Sequence, residues 1–128
     1  MSLYPPGFPY KGTAISGIKK NADMIPALLV VVVQMADWWA KQNVGSAEKL
    51  RIARYLREAY VTVEEITDEM QEPGFWQKYD LFVVTGNLER LLDRLAPSGL
   101  YFGAKQDRMH EYGYYSDEGL VGPLVLWE

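Results

Sequence analysis

With 128 residues and a net charge of −4, the chain has the size of one domain and little suited to general nucleic-acid binding. The lack of cysteine excludes disulfides, thiolate zinc sites and cysteine nucleophiles, and a single histidine excludes metal sites that need two. Nine Tyr, four Trp and four Phe make aromatic side chains the conspicuous resource of the sequence.

Residues 1–22 hold Pro5, Pro6 and Pro9 beside Tyr4, Phe8 and Tyr10, with glycines and lysines between them. Such a run is not helical, and its prolines favour extended polyproline geometry. It reads as an arm that packs across its own domain or embraces a neighbour with its aromatics. No basic leader followed by an apolar stretch is visible. With no disulfide-ready cysteine either, a cytoplasmic setting is the expectation. Gly12 and Gly17 have P-loop spacing, but Ile18 stands where such a loop needs lysine, so no nucleotide cofactor is expected.

The apolar run at residues 24–33 is rich in β-branched side chains, yet Gln34, Asp37 and Lys41 follow at spacings of three and four. Only a helix puts those on one face, so a helix over residues 23–42 is predicted. Asp23 is its expected cap, and Pro26 then falls in the first turn. Asn43, Val44 and Gly45 supply the stop. The run is well short of the ~20 residues that span a membrane, so no membrane partner is expected.

Ser46 is the expected N-cap of a second helix. Ile52, Leu56, Ala59, Val63, Ile66 and Met70 form its apolar stripe, which favours one helix to about Gln71. Thr62 and Glu65 also match a capping box, which would break it near Tyr60. Glu72, Pro73 and Gly74 end it. A third helix is predicted from about Gln77, on Leu81, Val84, Leu88, Leu91 and Leu95. Gly86 inside it marks a close helix approach or a kink, and Ala96 to Gly99 terminate it.

Beyond residue 100 the pattern changes to short strands over residues 100–104, 110–115 and 120–127, separated by turn residues. Pro123 makes the last an edge strand. The expected fold is α+β and helix-dominated: a single domain with a three- or four-helix core over residues 23–96 and a small C-terminal antiparallel β-meander over residues 100–127.

Two surfaces stand out. The second helix is basic in its first half, through Arg51, Arg54 and Arg57, and acidic in its second, through Glu64, Glu65, Asp68, Glu69 and Glu72. That polarity opposes the helix dipole and sets like charges at i,i+4. An antiparallel copy of the same helix would match opposite signs, which makes Arg51, Arg54, Arg57, Glu64, Glu65 and Asp68 the candidate contacts of a homodimer. The other surface is the meander. Tyr101, Tyr112 and Tyr114, backed by Lys105, Arg108 and His110, could grip a planar or anionic small molecule by stacking and cation–π contacts. Strand alternation sets Tyr112 and Tyr114 on one face, and Glu111, Gly113 and Tyr115 on the other.

An enzyme would have to draw on His110 with Asp107 or Glu111 as acid–base partners. No nucleophile elbow or oxyanion hole accompanies them. Asp107-x-x-His110 is the nearest approach to a di-iron pair, and no metal or other cofactor is expected. The reading that absorbs most of the sequence is a non-enzymatic binding or assembly protein whose partner is a protein, in the first place a second copy of itself. The alternatives are a small enzyme with a pocket between helices and meander, and an acidic inhibitor or immunity-type protein with one cognate target.

Overall fold

Polar spacing outweighs β-branched composition in the first apolar run. In the computed structural model, which describes residues 5, 7–10, 12–18, 20–42, 47–78, 80–105 and 108–116, this run is helix α1, Asn21–Ala40. Gln34, Asp37 and Lys41 lie exposed, while Leu28, Val32, Met35 and Trp39 are fully buried. Each fully buried large apolar side chain contributes roughly 1.5–3 kcal/mol, so the inner stripe of α1 is the main source of cohesion. The helix begins earlier than read: Lys20 is the N-cap, with no side-chain hydrogen bond, and Asp23 sits in the first turn. Pro26 therefore falls in the second turn and forgoes one intrahelical hydrogen bond. The window Ala22–Ala40 is long and apolar enough to cross a membrane by composition alone, but 56% of it is buried within the protein. Its apolar surface is largely taken up by the core.

Helix α2, Ala47–Met70, runs unbroken through Tyr60. The Tyr60 hydroxyl donates to the Ala36 carbonyl of α1 at 3.4 Å, and the Thr62/Glu65 capping box initiates nothing. Ile52 and Ala59 are fully buried, and Leu56, Val63, Ile66 and Met70 pack partly buried against the core. Ser46 and the stop at residues 43–45 lie outside the described residues.

The third predicted helix is divided. A single turn, α3 (Phe75–Lys78), comes first, and α4 spans Leu81–Arg94. The division follows from Asp80, whose carboxylate accepts from the N–H groups of Phe82 (3.1 Å) and Val83 (3.4 Å) and so starts a fresh helix. Gly86 marks neither of the features read for it: α4 is continuous, and a Cβ there would meet nothing within 4 Å among the described residues.

The sheet corrects the sequence reading in one respect. Its described strands are β1 (Gly12–Ser16), β2 (Leu100–Lys105) and β3 (Arg108–Ser116), antiparallel in the order β1-β3-β2. One strand thus comes from the arm, and the expected strand at residues 120–127 lies outside the described residues. Phe8 anchors the arm: it is buried edge-on against Trp38 (5.1 Å) and Tyr114 (5.3 Å). Ile15 is buried as well, which fixes which face of β1 turns inward. Helix α1 packs against α4, α2 and β1, and α4 packs against β2. The result is a helix-dominated α+β fold, with four helices and a three-stranded antiparallel sheet among the described residues.

Candidate functional site

At 100° per residue, one face of α2 gathers Leu50, Arg54, Arg57, Val61, Glu65 and Asp68 within about 40° of Val61. All six are exposed, Leu50 by 65% and Val61 by 49%, so this face is free of the core that holds Ile52 and Ala59. The charges are antisymmetric about Val61. Arg57 and Glu65 lie four positions either side of it, and Arg54 and Asp68 seven. No ion pair within the described part of the chain joins any of these four to an opposite charge.

Of the six residues read as dimer contacts, the structure brings Arg54, Arg57, Glu65 and Asp68 onto this face. Glu64 lies exposed at its margin. Arg51 is turned away and engaged internally: its Nε meets the Glu48 carboxylate at 2.7 Å, and its Nη2 donates to the Ala96 carbonyl at 3.0 Å. Glu58, on the same flank as Arg51, faces Arg94 at 4.0 Å. Sequence reasoning missed Val61 and Leu50. Their signal was present as two large apolar residues off the Ile52–Ala59–Met70 stripe, with no place in the core.

The tyrosines do not form one platform. The register Phe102↔Tyr114 and Tyr101↔Tyr115 sets Tyr101 beside Tyr115, with ring centroids 6.0 Å apart, on the face turned away from the core. The Tyr115 hydroxyl and Thr13 Oγ1 share a hydrogen bond of 2.9 Å across the sheet. Tyr112 and Tyr114 occupy the inner face. Tyr114 is fully buried, its hydroxyl donates to the Leu92 carbonyl at 3.0 Å, and it serves as a core residue. Burial, then the neighbouring Tyr10 and Asp93, push its pKa well above the usual tyrosine value. Tyr112 is partly buried and is raised by burial and then by Glu89. Lys105, Arg108 and His110 are strand residues whose side chains lie outside the described ones, as does the whole of Asp107. Glu111 is half-buried in β3 opposite Ser16.

Two further features escaped the sequence reading. Helix α4 turns acids toward the sheet: Asp93 accepts from the Phe102 N–H at 3.1 Å, and one turn earlier the half-buried Glu89 carboxyl has its pKa raised by burial. A groove of about 350 Å³ also opens between β1 and α1, lined by Tyr10, Ala14, Ile15, Ser16, Ile18, Ala27, Val30 and Val31. Among the described residues no group of three acids or histidines is placed to hold a metal ion. In comparisons with protein-family models, curated proteins and solved structures, the chain matches none.

Proposed function

We propose that the protein is a non-enzymatic binding and assembly protein that pairs with a second copy of itself through the exposed face of α2. The observation that carries this reading is the antisymmetry of that face. A two-fold axis through Val61 sets Arg54 against Asp68 of the other copy and Arg57 against Glu65, and each contact occurs twice, as an isologous interface requires. The arrangement also accounts for a charge order that the isolated helix would disfavour. Basic residues in the first half and acids in the second oppose the helix dipole, and a partner in the reverse direction compensates them.

The magnitudes set the character of the dimer. Exposed ion pairs contribute roughly 0.2–1 kcal/mol each, and the Val61 contact adds about as much as a partly buried side chain can. Four pairs of that strength, roughly 1–4 kcal/mol together, give orientation and selectivity with weak affinity, on the order of millimolar. Added salt then dissociates the dimer.

Sedimentation velocity at low salt and at about 0.5 M salt tests the reading. Wild type should dimerise only at low salt, and Arg57→Glu should be monomeric in both. Arg57→Glu combined with Glu65→Arg should dimerise again. Positions 57 and 65 are two turns apart on one helix, too far for rescue within a chain. A dimer indifferent to Arg57→Glu, or a double swap that stays monomeric, would overturn the proposal.

A further inference from the structure

Alanine at position 86 would favour helix α4 more than glycine does, and packing does not forbid it. A Cβ on Gly86 would meet nothing within 4 Å among the described residues. The glycine therefore leaves a notch in the surface of α4. Phe82, Gly86 and Glu89 follow at spacings of four and three, so at 100° per residue they share one face within about 60°. Helical side chains lean toward the N-terminus, which tilts Glu89 over the turn that holds Gly86. Phe82 stands on the other side of the notch, 74% exposed. The sheet supplies a third wall. Helix α4 and β2 run in opposite directions, and Asp93 accepts from the Phe102 N–H. One helical turn back, Glu89 comes level with Ala104 and its β3 partner Tyr112. Ala104 is small and exposed, and the Glu89 charge reaches Tyr112, whose pKa it helps to raise.

The carboxylate is the polar floor of this notch. Among the described residues Glu89 has no ion pair, and burial raises its pKa with no neighbouring cation to lower it. Arg90 is turned 100° round the helix and donates to Asn87 Oδ1, while Arg94 faces Glu58. A half-buried carboxylate without a partner is a costly arrangement, and a cation from outside relieves it. The remaining walls decide which cation. A primary ammonium brings three N–H donors, each needing an acceptor. A quaternary ammonium needs none and is held by ring faces. We infer that the notch over Gly86 binds an organic quaternary ammonium ion, its charge against Glu89 and its methyl groups against the Phe82 and Tyr112 rings.

Amide NMR spectra of the full chain test this, titrated with choline and with its uncharged analogue in which carbon replaces the nitrogen. Choline should shift the amides of Gly86 and Glu89 and bind about tenfold more tightly than the analogue. Glu89→Gln keeps the shape of the side chain and should weaken choline binding about tenfold. Phe82→Leu should weaken it about threefold. Gly86→Leu fills the notch with a good helix former, so it should abolish binding while the thermal midpoint rises. That midpoint separates a blocked site from a disturbed fold. Arg57→Glu, which tests the α2 dimer, should leave choline affinity unchanged, so the two readings fail separately. Equal affinity for choline and its analogue, no shift at Gly86 at millimolar choline, or undiminished binding by Gly86→Leu would overturn the inference.

Discussion

The indole N–H of Trp39 donates to the Leu95 carbonyl at 2.7 Å, both residues being fully buried. It ties the last turn of α1 to the C-cap of α4, where carbonyls have no partner within their own helix. Trp39→Phe keeps an aromatic ring but leaves that carbonyl without its donor, which costs roughly 1–3 kcal/mol before any loss of packing. Urea unfolding monitored by far-ultraviolet dichroism should show the loss. A midpoint equal to that of wild type would mean the bond contributes nothing.

Gly113 faces a different constraint. A Cβ there would fall 2.1 Å from the Gly12 carbonyl oxygen and 2.8 Å from Thr13 Cα, both backbone atoms of β1. Gly113→Ala must therefore push β1 away from β3, at about 1–3 kcal/mol for an overpacked site. Amide exchange gives the specific readout. Protection should vanish in Gly12–Ser16 and persist in α1 and α4, and undiminished protection in β1 would refute the steric account.

Gly86 should respond in the opposite direction. It sits inside α4 with open space around its Cβ position. Gly86→Ala removes only the backbone freedom of the unfolded chain and should stabilise by about 0.5–1 kcal/mol. A higher thermal midpoint is the expected result, and a lower one would reveal a close neighbour at this position.

Glu48 couples the fold to pH. Burial by itself raises its pKa, but hydrogen bonds from Ser98 and the neighbouring Arg51 outweigh that, and the net direction is downward. The folded-state value thus lies below the ordinary 4.5. Its stabilisation is present above the unfolded-state pKa and is lost as pH falls through the folded one. Glu48→Gln should flatten the fall of unfolding free energy between about pH 5 and 3 relative to wild type. Parallel curves for the two proteins would show that Glu48 is not coupled to folding.

The helical body was legible because its signals are local and repeated. Gln34, Asp37 and Lys41 were enough to make α1 a helix against the composition of its valines, and the α2 stripe predicted one helix through Tyr60. Strand β1 was not legible. Gly12–Ser16 holds one large apolar residue between glycines, so no alternation announces it, and only the distant burial of Phe8 and Ile15 makes it a strand. The side-chain faces within β3 follow the alternation read from the sequence, but its register with β2 was not legible. Tyr101 meets Tyr115 because Phe102 pairs with Tyr114 around that fully buried ring, and spacing within one strand carries no record of that pairing. On α2 the charges were visible, while the division of labour between Arg51 and Arg54 required the position of Ala96.

The sheet order also bears on how the protein is made. Thr13 and Tyr115, joined across the sheet, are 102 positions apart in the chain. At ~5–20 residues per second, ribosomal synthesis separates their emergence by roughly 5–20 s. Throughout that interval Phe8 and Ile15 await the strand that covers them, and the nascent chain displays an unpaired strand and an aromatic hook to its surroundings. Helices α1 and α2 can meet first, and the sheet closes last. A defect confined to the sheet should therefore reduce the yield of soluble protein during translation more sharply than it lowers the melting temperature of purified molecules.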